Sequence, residues 1–253
     1  MILYDSHAHY DDSRFDLDRD EVILSAHHGG VAFINNIGSN IQSSRESIAL
    51  AEKFDFVYAT VGVHPSDTHG MTDDDIDILK ALAKHKKVVA IGEIGLDYHY
   101  DDTSEEEQKR WFSPQLEIAK ELNLPVVIHD RESQGDCLKI LKEQGISNGV
   151  IHCFSGSAET AKEFLKMGMD ISFTGVITFK NARRAIEALK IIPMDRLMIE
   201  TDCPYMAPEP FRGKRNHSGY VIKVAEKIAE IKGMGVEEVA KITTENAKRF
   251  FNI

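Results

Sequence analysis

The chain has 253 residues, 42% of them hydrophobic and 28% charged, with a formal net charge of −11. That length suits one large α/β domain, and the acidic balance argues against a protein that coats long nucleic acid through a basic surface. No apolar run approaches the roughly 20 residues of a membrane-spanning helix. No basic-then-apolar leader opens the chain, and its three widely spaced cysteines argue against a disulfide framework, so the expected location is the cytoplasm.

In chain order, short β-branched runs alternate with longer amphipathic stretches. The first run, Ile2 to Asp5, leads into His7 and His9. Val31 to Ile37 and Phe56 to Val63 follow, and His64 closes the latter. Thr72 and Asp75 read as a capping box, with Asp73 to Asp75 as a solvated acidic helix start. Val88 to Ile94 carries Glu93, with Gly92 and Gly95 nearby to let the backbone approach a ligand closely. Ser104 and Glu107 read as a second capping box. Beyond it Trp111, Phe112, Leu116, Ala119 and Leu122 recur at helical spacing. Pro114 either kinks that helix or marks its first turn. The remaining apolar runs are Val126 to His129, Gly149 to Phe154, Asp170 to Thr178 and Leu197 to Thr201, and two helical stretches, Gly219 to Lys232 and Val236 to Phe251, close the chain.

Eight such alternations predict a single-domain (β/α)8 TIM barrel over residues 1–253, with a doubly wound open sheet as the alternative. All strands of a parallel barrel end on one rim, and that rim carries the active site. The geometry would gather His7, His9, Glu93, His129, His152 and Asp202 from strand ends across the chain.

His7 and His9, at i and i+2 on an extended segment, point to one side and can share an ion. Taken alone, such a pair is as readily two exposed polar residues at a strand end. His129 and His152 end consecutive strands; a single strand-end His is more often hydrogen-bonded structure than a ligand, but two form a natural pair. Glu93 has two oxygens and can bridge two cations. Mixed imidazole and carboxylate donors suit Zn or Mn, with Mg where oxygen dominates. Two such ions activate water and stabilise both attacking and leaving oxygens, which points to hydrolysis of an ester, amide or phosphodiester. Cys153 and Cys203 neighbour these positions but alternate away from the rim centre, as small core residues. Tyr98 and His99 read as loop packing.

Asp5-Ser6-His7-Ala8-His9, Gly62-Val63-His64-Pro65, Gly92-Glu93-Ile94-Gly95-Leu96-Asp97, Ile128-His129-Asp130-Arg131, His152-Cys153-Phe154-Ser155-Gly156, Glu200-Thr201-Asp202-Cys203-Pro204, Arg212-Gly213-Lys214-Arg215-Asn216 and Thr244-Glu245-Asn246-Ala247 occur in this order. Together they resemble the TatD family of metal-dependent deoxyribonucleases, in the amidohydrolase-like superfamily. The resemblance implies a divalent-metal-dependent hydrolase cutting DNA phosphodiesters, as an exonuclease on ends or single strands. It implies one ion on His7, His9, Glu93 and Asp202, and a second on Glu93, His129 and His152, the metal being Zn, Mn or Mg. Asp202 would act as general base, and His64 would orient the phosphate. Where superfamily relatives bridge their ions with a modified Lys, this chain has Glu93.

Arg131, Arg212, Lys214 and Arg215 are candidate phosphate contacts; for the last three an ordinary solvated loop is the competing reading. One departure stands out: Asn216-His217-Ser218 replaces the Asn-Glu-Pro common in the family, which puts substrate preference in question. The expected partner is DNA, short or single-stranded, bound by a monomer away from any membrane. Two other readings compete: hydrolysis of another ester or amide, such as a misacylated tRNA, and a non-catalytic metal-binding barrel.

Overall fold

The computed structural model describes residues 1–100 and 102–253. Eight parallel strands form one sheet in sequential order: β1 (Leu3–Ala8), β2 (Val31–Ile37), β3 (Val57–Val61), β4 (Val88–Asp97), β5 (Val126–Arg131), β6 (Gly149–Ile151), β7 (Asp170–Phe173) and β8 (Leu197–Ile199). Each strand is followed by a helix: α1 (Arg19–His28), α2 (Ile41–Lys53), α3 (Asp73–Leu82), α4 (Glu105–Leu122), α5 (Asp136–Glu143), α6 (Ala158–Lys166), α7 (Arg183–Ile191) and α8 (Val221–Lys232), with α9 (Val236–Phe251) last. This is the (β/α)8 barrel, and the doubly wound alternative is excluded by the sequential strand order.

The seam between first and last strands is thin. An isolated parallel bridge joins Ala8 to Cys203. His9 N–H donates to Cys203 O at 2.8 Å, and Asp202 N–H donates to His7 O at 2.8 Å. Side chains reinforce it: Ser6 donates to Ile199 O at 3.0 Å, and Asp5 accepts from Thr201 N–H at 2.8 Å and from its hydroxyl.

Strand alternation explains the interior. Tyr4, Val89, Val127, Val150 and Met198 are each the second residue of their strand, and they share one apolar cluster with Ala247 and Phe251 of α9. Two residues further along, on the same face, stand Ser6, His129, His152 and Glu200; Asp202 comes two later again. An apolar plug therefore fills the lower barrel, buried polar groups lie above it, and metal-type side chains crown the rim.

Several strands end earlier than their apolar runs suggest. β6 stops at Ile151 because Cys153 takes a left-handed conformation (φ 45), and β8 stops at Ile199, short of Asp202 with φ 55. β7 stops where Thr174 caps a 3-10 turn over Gly175–Thr178, its hydroxyl accepting from Val176 N–H at 3.3 Å. Pro114 lies in the middle of α4 rather than in its first turn. The Ser104 box is half made: Ser104 accepts from Glu107 N–H, while the Glu107 carboxylate turns to Gly70 N–H at 3.2 Å. Asp75 does accept from the backbone and hydroxyl of Thr72, both at 2.9 Å.

Candidate metal centre

All six expected donors meet at the rim. Glu93 is 4% exposed and its two oxygens face different ways. Oε2 lies 3.4 Å from His7 Nε2 and 3.7 Å from His9 Nε2. Oε1 lies 2.7 Å from both His129 Nδ1 and His152 Nε2, and 3.6 Å from His64 Nε2. Asp202 Oδ1 completes the first group, 3.4 Å from His9 Nε2 and 3.7 Å from His7 Nε2. The glycines around Glu93 permit this approach. A Cβ on Gly95 (φ +145) would stand 2.0 Å from His129 O, and one on Gly92 would meet Val127 Cβ at 2.6 Å.

The chemistry of these donors fits a metal. His7 Nε2 and His9 Nε2 face each other at 3.0 Å, and His129 Nδ1 faces His152 Nε2 at 3.1 Å. The far nitrogens show what those inward nitrogens carry. His9 Nδ1 lies 3.1 Å from Ile37 O and His129 Nε2 lies 2.9 Å from Asp97 Oδ2, so each donates outward and keeps a lone pair for the centre. His152 Nδ1 lies 3.4 Å from Glu200 Oε1. Imidazole lone pairs and carboxylates converging in one buried volume require a cation or protons between them.

Without a cation, protons would take that place on the inward nitrogens. Burial alone would lower the pKa of His9, but the Asp202 carboxylate raises it to about 9. Burial likewise opposes, and Glu93 outweighs, in raising His152. Burial would raise Glu93, yet the imidazoles, His152 foremost, hold it well below the usual carboxylate range. A divalent ion would displace those protons.

His64 is different. Burial, then the charge of His129, pushes its pKa down to about 3, so the ring is neutral. Its Nδ1 accepts from Ser66 N–H at 3.1 Å, which leaves the proton on Nε2. His64 therefore presents a donor to the cleft.

Asp97 and Glu200 carry no role assigned from the sequence; Asp97 braces His129 by a hydrogen bond, and Glu200 lies beside His152, whose Nδ1 has no hydrogen-bond partner. Asp97 Oδ1 accepts His99 N–H at 2.9 Å while Oδ2 holds His129. Glu200, 1% exposed, accepts from Ser172 Oγ and Cys153 N, both at 2.6 Å, beneath His152. Alternation could have found them, since residues 93 and 97, like 200 and 202, fall on one strand face.

A cleft of about 390 Å³ covers the rim, lined by His9, His64, Glu93, His129, His152 and Asp202 together with Arg131, Tyr100, Tyr205 and Met206. The basic loop does not line it. Arg215 makes a two-pronged ion pair with Asp18 at 2.8 and 2.6 Å, and Arg212 stacks over Phe179 at 4.5 Å. Lys214 stands exposed, 5.9 Å above the ring of Phe211. His217 and Ser218 also lie outside the lining. His217 caps a short 3-10 turn through Gly219 N–H at 3.2 Å, and buried Ser218 bonds the Tyr10 hydroxyl at 2.9 Å. Tyr98 packs in its loop, its hydroxyl donating to Asp136 at 3.0 Å. Among the described residues, no helix is long and apolar enough to cross a membrane.

A family model described as TatD related DNase matches residues 4–252. The chain is 49% identical to an uncharacterized metal-dependent hydrolase, YabD, of Bacillus subtilis, covering 100% of both chains. It is 35% identical to a 3'-5' ssDNA/RNA exonuclease TatD of Pectobacterium parmentieri, over 99% of this chain and 100% of that one. The crystal structure of YJJV, a TatD homolog from Escherichia coli, superposes with a TM-score of 0.94 at 30% identity, covering 99% of this chain and 98% of the other.

Proposed function

This chain belongs to the TatD-related DNase family, and from that membership and the geometry of the cleft we propose a divalent-metal-dependent phosphodiesterase that trims DNA at ends or single strands. The observation that carries the reading is the division of Glu93, one oxygen to His7 and His9 and the other to His129 and His152. That division suits two ions. His7, His9, Glu93 and Asp202 would hold one, and Glu93, His129 and His152 the other, with Zn, Mn or Mg matching the donors. Bound there, such ions would supply Lewis-acid polarisation of the phosphoryl oxygens and acidify a water molecule.

The chain's own groups do the rest. Asp202 lies low in pKa: burial opposes this, but its hydrogen bond to His9 and the neighbouring imidazoles hold it ionised. In this reading it accepts a proton from the attacking water. His64 Nε2–H donates to a non-bridging phosphate oxygen, and Arg131 on the cleft wall adds a fixed positive charge. The water oxygen joins phosphorus, the bridging P–O bond breaks, and a phosphomonoester and a free hydroxyl leave. Asp11, Asp12 and Asp67 also line the cleft. They make it repel a phosphate chain unless cations are bound, so substrate binding as well as turnover should need metal.

The test is digestion of end-labelled single- and double-stranded DNA with added Mg, Mn or Zn, beside turnover of a carboxylic ester. Metal-dependent shortening of labelled strands is expected, with loss of cleavage in EDTA and in folded His7→Ala and Glu93→Ala. Full cleavage in EDTA or in either variant would sink the reading, as would ester turnover without nucleic-acid cleavage.

A further inference from the structure

Two tyrosines stand over the rim, on loops four strands apart. Tyr100 lies on the loop after β4 and Tyr205 on the loop after β8. In a barrel of eight strands in sequential order, those loops face each other across the mouth. Both line the cleft and both are unusually open for large aromatics, at 51% and 44% exposure. Each carries an arginine on its face: the Arg131 guanidinium lies 4.9 Å from the Tyr100 centroid, and that of Arg14 lies 4.1 Å from the Tyr205 centroid.

The Tyr205 ring is firmly held. The Tyr205 hydroxyl donates to Asp12 at 3.1 Å, and Arg14 grips the same carboxylate at 3.0 and 2.9 Å. Asn216 clamps the segment between Asp202 and Tyr205, donating to Thr201 O at 2.9 Å and Tyr205 O at 2.6 Å. Across the mouth, Arg131 follows His129 by two residues and pairs in register with Asp97. Each Tyr–Arg pair is thus tied to a residue of the rim centre.

We propose that Arg131–Tyr100 and Arg14–Tyr205 are two base-stacking subsites, one on each side of the reacting phosphate. This rests on the phosphodiesterase reading above and assigns the residues that would hold the bases of its strand. An arginine against one face of a tyrosine leaves the other face for a planar ring; Arg131 adds a charge that attracts the phosphate flanking the base, while Arg14, paired with Asp12, fixes its ring. Stacking is tolerant of base identity but needs the base free of its partner, so single strands and frayed ends are selected over paired duplex. The overall acidity of the chain suits this division of labour, because Arg131 sets a cation in the cleft lining beside one of the two rings.

The experiment measures kcat and KM on a single-stranded oligonucleotide, and on the same oligonucleotide with abasic sites at its terminal nucleotides. Wild type is compared with Tyr100→Ala, Tyr205→Ala and the ring-conserving Tyr205→Phe and Tyr100→Phe. The alanine variants should raise KM on the normal strand by about 5- to 100-fold per ring with kcat little changed. The phenylalanine variants should stay near wild type, and all proteins should converge on the abasic strand. A terminal 2-aminopurine should be quenched on binding to wild type and not to the alanine variants. Unchanged KM in both alanine variants, or an equal loss on the abasic strand, overturns the stacking subsites while leaving the phosphodiesterase reading intact. If wild type cleaves neither strand, the phosphodiesterase reading fails and the subsites fall with it.

Discussion

Replacing Asp97 by Asn keeps the size of a buried side chain and changes one hydrogen-bonding atom. In the native site Oδ1 accepts His99 N–H at 2.9 Å and Oδ2 accepts from His129 Nε2 at 2.9 Å. An amide that keeps the first bond with its oxygen turns its NH2 toward His129. Two donors then face each other, and the imidazole escapes by moving its proton to Nδ1. That is the nitrogen 2.7 Å from Glu93, the one needed for a metal. The lost bond is charge-assisted and its acceptor is 2% exposed, which makes it worth about 1.5–3 kcal/mol. At about 1.4 kcal/mol per decade that is roughly a 10- to 100-fold loss of metal affinity, the range seen when such outer partners are removed. Isothermal titration of the EDTA-stripped variant with Zn or Mn, beside a melting curve to show the fold intact, measures it. Affinity within about twofold of wild type would refute the tautomer argument, since the bond worth roughly tenfold or more would then be doing nothing.

Two further outcomes follow from the same geometry. Gly95→Ala places a methyl group 2.0 Å from His129 O on a backbone with φ +145; of order 1–3 kcal/mol for the backbone alone should lower Tm by roughly 5–10 °C, and an unchanged Tm would mean β5 yields without cost. The pH dependence concerns His9, whose pKa is raised from 6.5 to about 9 by Asp202 against the opposing effect of burial. A raised folded-state pKa contributes stability that is complete below about 6.5 and lost as pH rises through about 9. In EDTA-treated protein, the urea-midpoint gap between wild type and His9→Gln should therefore be widest near pH 6 and shrink by about pH 9.5. A gap that is constant or grows with pH contradicts the pairing.

Much of this was legible in the chain because period-2 alternation does two jobs at once. The same face that puts Val127, Val150 and Met198 into the apolar plug puts His129, His152 and Asp202 on the rim. What the chain hides is what depends on partners remote in sequence. Arg215 reads as a phosphate contact until Asp18 is seen to hold it, and no local pattern announces that pairing. Tyr100 and Tyr205 sit in irregular loops with no periodicity to place them, whereas Tyr98, on the same loop as Tyr100, packs against Lys109 and Asp136. The His217-Ser218 departure reads as a change at the mouth, yet the His217 ring caps the 3-10 turn ahead of α8 and the Ser218 hydroxyl accepts from the Tyr10 hydroxyl. Asp97 and Glu200 lie between these cases: their strand face is readable, but not which imidazole each one lies beside.

The thin seam between β1 and β8 bears on when this protein comes into being. During synthesis His7 and His9 leave the ribosome long before Asp202, whose N–H donates to His7 O only once the chain between them has emerged. Barrel closure and assembly of the donor cluster are then a single event. A chain cut short before Asp202 holds only part of the donor set, so the complete cluster forms only when the last strand docks against the first.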